Sequence, residues 1–277
     1  MTLQTALLQG VAILEKAAVP VPRLTAEVLL CHAVRCDRAY LYAHSNDELT
    51  QRAWIHYGRY LNERLKGKPT QYITHRQEFF GRDFYVNESV LIPRPETEHL
   101  VETALAWLRG RPSARVLDVG TGSGAIAISL ALESGIPLVA SDISTDALRV
   151  AERNRSKLQA PVHFFAADLL TAVASSSIDL VISNPPYVPG ADARNMQTEV
   201  RDWEPHVALF AGDSGLEIYQ RLTSQARAVL RPRGRLMMEL GYQSLVAVRA
   251  MLSNHWTDIE TVSDLAGWPR VLATTLL

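Results

Sequence analysis

From Ala114 onward the chain alternates short apolar runs with amphipathic stretches, and this alternation limits the possible folds more than any other feature. The runs at Arg115–Val119, Leu138–Ser141, Val162–Ala166, Leu180–Ser183 and Arg235–Glu239 have the length and composition of buried strands. Between them, Ala125–Glu133, Thr145–Lys157 and Leu216–Leu230 read as helices. Strands joined by helices of this length pair in parallel, with helices covering both faces of the sheet. Two more strands are expected at Asp258–Val262 and Arg270–Thr274, joined through Gly267. The expected class is α/β, with a mostly parallel, seven-stranded, Rossmann-like sheet.

Ahead of this region the pattern is different. Leu3, Leu7, Leu8, Val11 and Leu14 recur at helical spacing, as do Ala26, Leu29, Leu30 and Ala33, and Trp54, Tyr57, Leu61 and Leu65. A small helical bundle over residues 1–75 follows. Between Gln71 and Pro95 the period shifts towards two: Tyr72-Ile73-Thr74 and the stretch Phe79 to Ile92, broken at Gly81 and near Asn87, predict short strands. Residues 76–95 are therefore expected to form a β-hairpin linker. A helix then opens at Glu96, whose acidic first turn suits the helix dipole, and runs to about Arg109. The domain expected to carry the chemistry spans 96–277.

Composition excludes several classes of function. The chain has 277 residues, 47% of them hydrophobic, and a net charge of −1, without the basic excess of a dedicated nucleic-acid binder. Its two cysteines, Cys31 and Cys36, fit neither a zinc half-site nor a disulfide framework and read as small core residues. The eight histidines are scattered without a ligand-pair motif, so no metal site is expected. The N-terminal segment lacks the apolar core of a signal peptide, and no stretch approaches the length of a membrane span. A cytoplasmic protein, monomeric by default, is expected.

The first strand of the alternating region runs into Asp118-Val119-Gly120-Thr121-Gly122-Ser123-Gly124, followed at once by a helix. Glycines at such a turn let the backbone approach a ligand closely. The G-x-G-x-G spacing differs from the dinucleotide G-x-G-x-x-G, so a pyrophosphate cradle is less favoured. Asp118, at the strand's end, is placed to meet a cationic amino-acid portion. Asp142 closes the second strand, where a carboxylate grips a ribose diol. Asp168 closes the third, where it can accept from an adenine amino group, with Leu169 beside it as an apolar wall. Three acids at three successive strand ends converge on one crevice and point to a nucleoside cofactor. The arrangement resembles the class I S-adenosylmethionine methyltransferases over about residues 110–277.

The fourth strand delivers Asn184-Pro185-Pro186-Tyr187. Two prolines can simply end a strand, but that leaves the flanking Asn and Tyr unexplained. A planar amide or amine nitrogen is a poor nucleophile because its lone pair is delocalised. Two acceptors that take its N–H hydrogens orient it and help localise the lone pair. The Asn184 side-chain oxygen and the Pro185 carbonyl supply them, with the carbonyl direction preset because proline fixes φ. Tyr187 offers a ring face to a flat group.

This tetrapeptide resembles that of adenine-N6 methyltransferases of DNA and RNA, so the substrate must be read from elsewhere. Lys68-Pro69-Thr70-Gln71-Tyr72-Ile73, Glu78-Phe79-Phe80-Gly81, and Val90 through Arg94-Pro95-Glu96-Thr97-Glu98 resemble the HemK/PrmC family of protein N5-glutamine methyltransferases. Glu199, Glu204-Pro205, Ala208-Leu209 and Gly212 through Leu216 follow the same family order. The resemblance covers essentially the whole chain. It implies that Gly120 through Gly124, Asp142 and Asn184 hold S-adenosylmethionine, leaving S-adenosylhomocysteine as product. It implies that Asn184, Pro185, Pro186 and Tyr187 hold the glutamine of the Gly-Gly-Gln loop of class 1 release factors. His75 stands where the family commonly has Gly, Trp203 replaces a common Tyr, and Leu169 stands where some members place Trp. The competing readings are a ribosomal-protein glutamine methyltransferase, a nucleic-acid adenine-N6 methyltransferase, and a binding module without chemistry. A basic groove or target-recognition domain would mark the nucleic-acid enzyme, and neither is present. An intact Asn184–Tyr187 segment argues against a module that has lost its chemistry.

Overall fold

Three helices of the N-terminal region begin where a side-chain oxygen accepts from a free backbone amide of the first turn. Thr2 accepts from Thr5 (3.2 Å), Asp37 from Tyr40 (2.7 Å) and Thr50 from Ala53 (3.2 Å). The computed structural model, which describes residues 1–252 and 254–277, shows these helices as α1 (Leu3–Lys16), α3 (Arg38–Ala43) and α4 (Gln51–Leu65), with α2 (Pro22–Val34) and α5 (Thr70–Thr74) beside them. They build one unit, Met1–Arg76, which also contains the later segment Gln197–Trp203. Its core gathers Leu14, Leu29, Leu30 and Tyr57, all fully buried, and Cys31 joins it as expected. Gly10 lets α1 approach α4: a Cβ there would lie 1.8 Å from the Tyr57 hydroxyl oxygen. The helical turn at Thr198–Trp203 is held by Arg64, whose Nη2 lies 2.6 Å from Glu199 Oε2, and by Lys68 over the Trp203 ring.

One expectation fails here. Tyr72-Ile73-Thr74 is not a strand but part of α5, where Tyr72 and Ile73 are buried. Its β-branched and aromatic content suits a strand only if a partner strand is at hand. Here Pro69 opens a helical turn, and the Thr74 hydroxyl donates back to the Thr70 carbonyl at 3.0 Å. His75 ends the turn at φ +54°, a left-handed conformation that glycine adopts freely.

The second unit comprises Gln77–Met196 and Glu204–Leu277. It opens with the antiparallel hairpin β1 (Gln77–Phe79) and β2 (Arg82–Phe84), joined by Phe80 and Gly81, both at positive φ as a tight hairpin turn requires. No strand follows between Phe84 and Ile92. The expected helix begins as a single 3-10 turn, Pro95–Thr97, and continues as α6 (Glu98–Leu108). Next come β3 (Val116–Val119), α7 (Ala125–Ser134), β4 (Leu138–Asp142), α8 (Thr145–Leu158), β5 (Val162–Ala166) and β6 (Ile178–Ser183). After α9 (Thr198–Trp203, in the first unit) come α10 (His206–Leu209), α11 (Glu217–Val229), β7 (Leu230–Glu239), α12 (Leu245–Ala250), β8 (Trp256–Ser263) and β9 (Pro269–Leu276).

The sheet has seven strands among the described residues, in the order β5-β4-β3-β6-β7-β9-β8, parallel through β7 and antiparallel at β9 and β8. Successive strand residues point to opposite faces. Val116, Leu180, Ile182 and Met237 join α6, α7 and the hairpin phenylalanines on one side. Leu117, Val119, Val181 and Leu236 meet Tyr219, Leu222 and Ala226 of α11 on the other. Strand order reverses direction between β3 and β6, so a crevice opens at their carboxyl ends.

Replacing Gly10 by Ala should destabilise the helical unit by about 1–3 kcal/mol through overpacking against Tyr57. Thermal unfolding of the variant, with Gly10→Ala/Tyr57→Phe as the relieving double substitution, checks it. Equal loss in both would show that the hydroxyl is not the obstacle.

Candidate active site

Because β3 and β4 are parallel and in register, the turn after β3 sits against the end of β4. The amides of Gly120 and Thr121 both donate to the Ser141 carbonyl, at 2.8 and 2.9 Å. Gly120 and Gly122 have φ of +73° and +55°, and a Cβ at either would meet nothing within 4 Å. Those two glycines serve backbone conformation and leave open space beside the loop. Gly124 serves packing: a Cβ there would lie 2.8 Å from Ile128 and 3.3 Å from Ala151. The buried Asn154 of α8 braces the loop from behind, donating to the carbonyls of Ser123 and Tyr85 and accepting from the Tyr85 amide.

The acids differ in their circumstances. Asp118 is fully buried; one carboxyl oxygen accepts from the Thr121 hydroxyl at 2.7 Å, and Oδ1 has no partner among the described residues. Burial pushes its carboxyl up to about 7, with the neighbouring Asp142 adding to the shift and Thr121 opposing it. Asp142 accepts from the Gly122 amide through Oδ2 and from the Ser144 amide through Oδ1. Burial raises its carboxyl as well, opposed by those amides. Each oxygen keeps a lone pair for a further donor. Asp168 lies just past β5, half-exposed, with Oδ2 at 2.6 Å from Arg221 Nη2. Leu169 beside it sits at φ +52°, strained for a residue with a Cβ.

At the end of β6 the Ser183 hydroxyl donates to the Val119 carbonyl at 2.7 Å, tying the two strand ends together. Asn184 follows, and its Nδ2 donates to the Thr97 hydroxyl oxygen at 3.2 Å. Tyr187 is half-buried with its ring against Gly241, where a Cβ would lie 2.7 Å from Cδ2. Its main chain passes Gly215, where a Cβ would lie 2.5 Å from the Tyr187 carbonyl oxygen. Burial pushes the Tyr187 phenol well above its ordinary value, with Glu239 adding to the effect.

The loop, Asp118, Asp142 and Asn184 thus share the edge formed by the ends of β3, β4 and β6, with Asp168 and Leu169 following the outer strand β5. Thr97 and Glu239, both buried, lie at this edge too, and neither is read from the sequence as a site residue. Glu239 ends β7, and burial pushes its carboxyl up to about 7, with Thr97 opposing the shift and Glu96 adding to it. The signal was present: an acid closing the apolar strand Leu236-Met237-Met238, as Asp142 closes its own.

Residues 5–74 match the family described as PrmC N-terminal domain, and residues 97–200 match the methyltransferase small domain. The chain is 44% identical to a release factor glutamine methyltransferase of Koribacter versatilis (strain Ellin345), over 98% of each chain. It is 42% identical to one from Nitratidesulfovibrio vulgaris, over 98% of this chain and 94% of that one. Among solved structures, a methyltransferase from Pyrococcus furiosus has the same fold with a TM-score of 0.53 and 16% identity, over 71% of this chain and 89% of that one.

The raised carboxyl of Asp118 has a consequence for stability. The folded protein keeps a proton that the unfolded chain releases at its ordinary value, so this group's contribution falls as pH rises from about 4 and levels off above about 7. Asp118→Asn should therefore gain stability over wild type progressively across that window. Urea unfolding at pH 5, 6, 7 and 8 measures it, and parallel curves for the two proteins would show an ordinary carboxyl.

Proposed function

The chain belongs to the release factor glutamine methyltransferase family, and on that basis we propose that it methylates the side-chain amide nitrogen of the glutamine in the Gly-Gly-Gln loop of class 1 release factors. It is an S-adenosylmethionine-dependent enzyme with a methyltransferase domain. The observation that carries the reading is the position of Asn184-Pro185-Pro186-Tyr187, at the end of β6 and next to the strand that bears the glycine loop.

The residues at this edge fit the cofactor. Asp118 offers a buried, unpartnered carboxyl oxygen, the complement of the ammonium of an amino-acid portion. Gly120 and Gly122 leave room at the turn, and Asp142 retains acceptor capacity for a ribose diol. Leu169 supplies an apolar wall and Asp168 an acceptor for an adenine amino group, while Thr121, Ser123 and Gly124 shape the loop. The bound cofactor supplies an electrophilic methyl group on a sulfonium.

The chain's own residues hold the nucleophile. Asn184 Oδ1 and the Pro185 carbonyl accept the two N–H hydrogens of the glutamine amide, which fixes its plane and directs the nitrogen lone pair towards the methyl. Pro185 and Pro186 preset the backbone, so little conformational freedom is lost on binding. Tyr187, braced by Gly241 and Gly215, gives the flat amide a rigid ring to lie against. Once nitrogen has gained its methyl group it sheds a proton to solvent, and a dedicated base is not needed.

The helical unit is assigned to gripping the protein substrate, in keeping with its match to the PrmC N-terminal family. No helix among the described residues is long and apolar enough to cross a membrane. We place the enzyme in the cytoplasm as a monomer, where release factors are available.

Incubation with labelled S-adenosylmethionine and, separately, a release factor, a ribosomal protein and DNA tests the assignment. Label is expected on the glutamine of the release factor; label on DNA or ribosomal protein alone would end it. Asn184→Ala should keep its unfolding temperature and lose about a hundredfold in kcat. Near-normal turnover would remove Asn184 from the reaction.

A further inference from the structure

At the amino ends of the strands, the sheet edge opposite Asn184, β7 carries four residues where β6 carries one. Leu230 pairs with Ile178 and Arg235 with Leu180, so Arg231-Pro232-Arg233-Gly234 bulge out opposite Asp179 alone. A bulge of this kind re-aims side chains that a regular strand would alternate between its two faces. It is also tightly built. Pro232 fixes its own φ, and Arg233 stands at φ +65°, strained for a residue with a Cβ. A Cβ at Gly234 would lie 2.8 Å from the Arg231 carbonyl oxygen.

With Trp107 of α6 and Arg111 of the turn after it, the bulge lines a cavity of about 470 Å³. Three guanidinium groups, of Arg111, Arg231 and Arg233, meet one carboxylate there, that of Asp179, which leaves a net charge of +2. Internal pairing uses few of their donors. Arg231 reaches Asp179 through Nη1 alone, at 3.1 and 3.3 Å, and the same carboxylate takes the Arg115 amide at 2.8 Å. Arg111 donates from Nη1 to the Trp107 carbonyl and lays its guanidinium 4.5 Å from the centre of the Trp107 ring. The Nε and Nη2 groups of Arg111 and Arg231 have no partner among the described residues. Arg233 Nη2 lies 4.0 Å from Asp258 Oδ2 with both side chains exposed, a pairing that contributes little. Three like charges at one cavity repel, so packing alone does not explain them.

We propose that this cavity binds a nucleoside phosphate, with Arg231 and Arg233 on the phosphoryl group and the Arg111–Trp107 stack beneath the base. A phosphate monoester carries nearly two negative charges at neutral pH and three acceptor oxygens, which match the net charge and the free guanidinium donors. A single carboxylate would answer half that charge. The volume is that of a small-molecule site and far more than a phosphate alone fills. A flat base extends a stack that guanidinium and indole have already begun. The site is separate from the methyl transfer, since Asn184 stands at the other end of β6.

Calorimetric titration of the full chain with uridine monophosphate tests this, with S-adenosylhomocysteine present to fill the cofactor crevice. The nucleotide should bind about tenfold tighter than either inorganic phosphate or uridine, each of which lacks half of the ligand. Arg233→Gln, at a side chain 72% exposed, should keep its Tm and weaken both nucleotide and phosphate about tenfold. Arg111→Gln should weaken the nucleotide and leave phosphate unchanged. The Kd of S-adenosylhomocysteine should be the same in all three proteins, so the result does not depend on what the rim methylates. Absence of nucleotide binding, or an affinity untouched by Arg233→Gln, overturns the proposal. Phosphate binding as tight as the nucleotide's overturns it too, because the stack would then hold nothing.

Discussion

Parallel pairing of β5, β4, β3, β6 and β7 is the constraint on which everything else depends. A parallel strand must be followed by a crossover before the next can pair, so every strand leaves the sheet at the same edge. Five chain segments widely separated in sequence are thereby brought to one rim. The reversal of order between β3 and β6 then opens a crevice there, because the connections from those two strands leave in opposite directions. The glycine loop and Asn184 are neighbours for this reason alone, and the Ser183 hydroxyl on the Val119 carbonyl holds them so.

The same geometry concentrates acids. Asp142 and Glu239 each close a strand and Asp118 stands one residue before the end of its own; each is buried where a carboxylate is poorly solvated, so each has its carboxyl raised. A core selected for stability alone would not keep three such groups. Their partners divide them by role. Asp142 is held by loop amides, Asp118 keeps one oxygen unpartnered, and Glu239 ends β7 beside the end of β6 that leads into Asn184. The glycines divide likewise: Gly120 and Gly122 supply positive φ and open space, whereas Gly124, Gly215 and Gly241 admit neighbours too close for a Cβ.

Much of this was legible in the residue order, for physical reasons. Buried parallel strands are continuous apolar runs, so the sheet strands were found with ends shifted by a few residues. Asp118–Gly124, Asp142 and Asn184–Tyr187 were legible because each follows directly from a strand end. Tyr72-Ile73-Thr74 was misread, since its composition favours a strand and only its burial among helices makes it a turn of helix. Glu239 carries the same strand-end signature as the other acids.

The residue order by itself determined the alternation of strand and helix, the rim on which the site stands, and the kind of group that Asn184 and Pro185 can orient. These follow from local chemistry: periodicity, the fixed φ of proline and the missing Cβ of glycine. Only the tertiary structure decided which way the Asn184 carboxamide faces. Its Nδ2 donates to the Thr97 hydroxyl, and Thr97, far from Asn184 in sequence, reaches it only through the packing of the segment before α6.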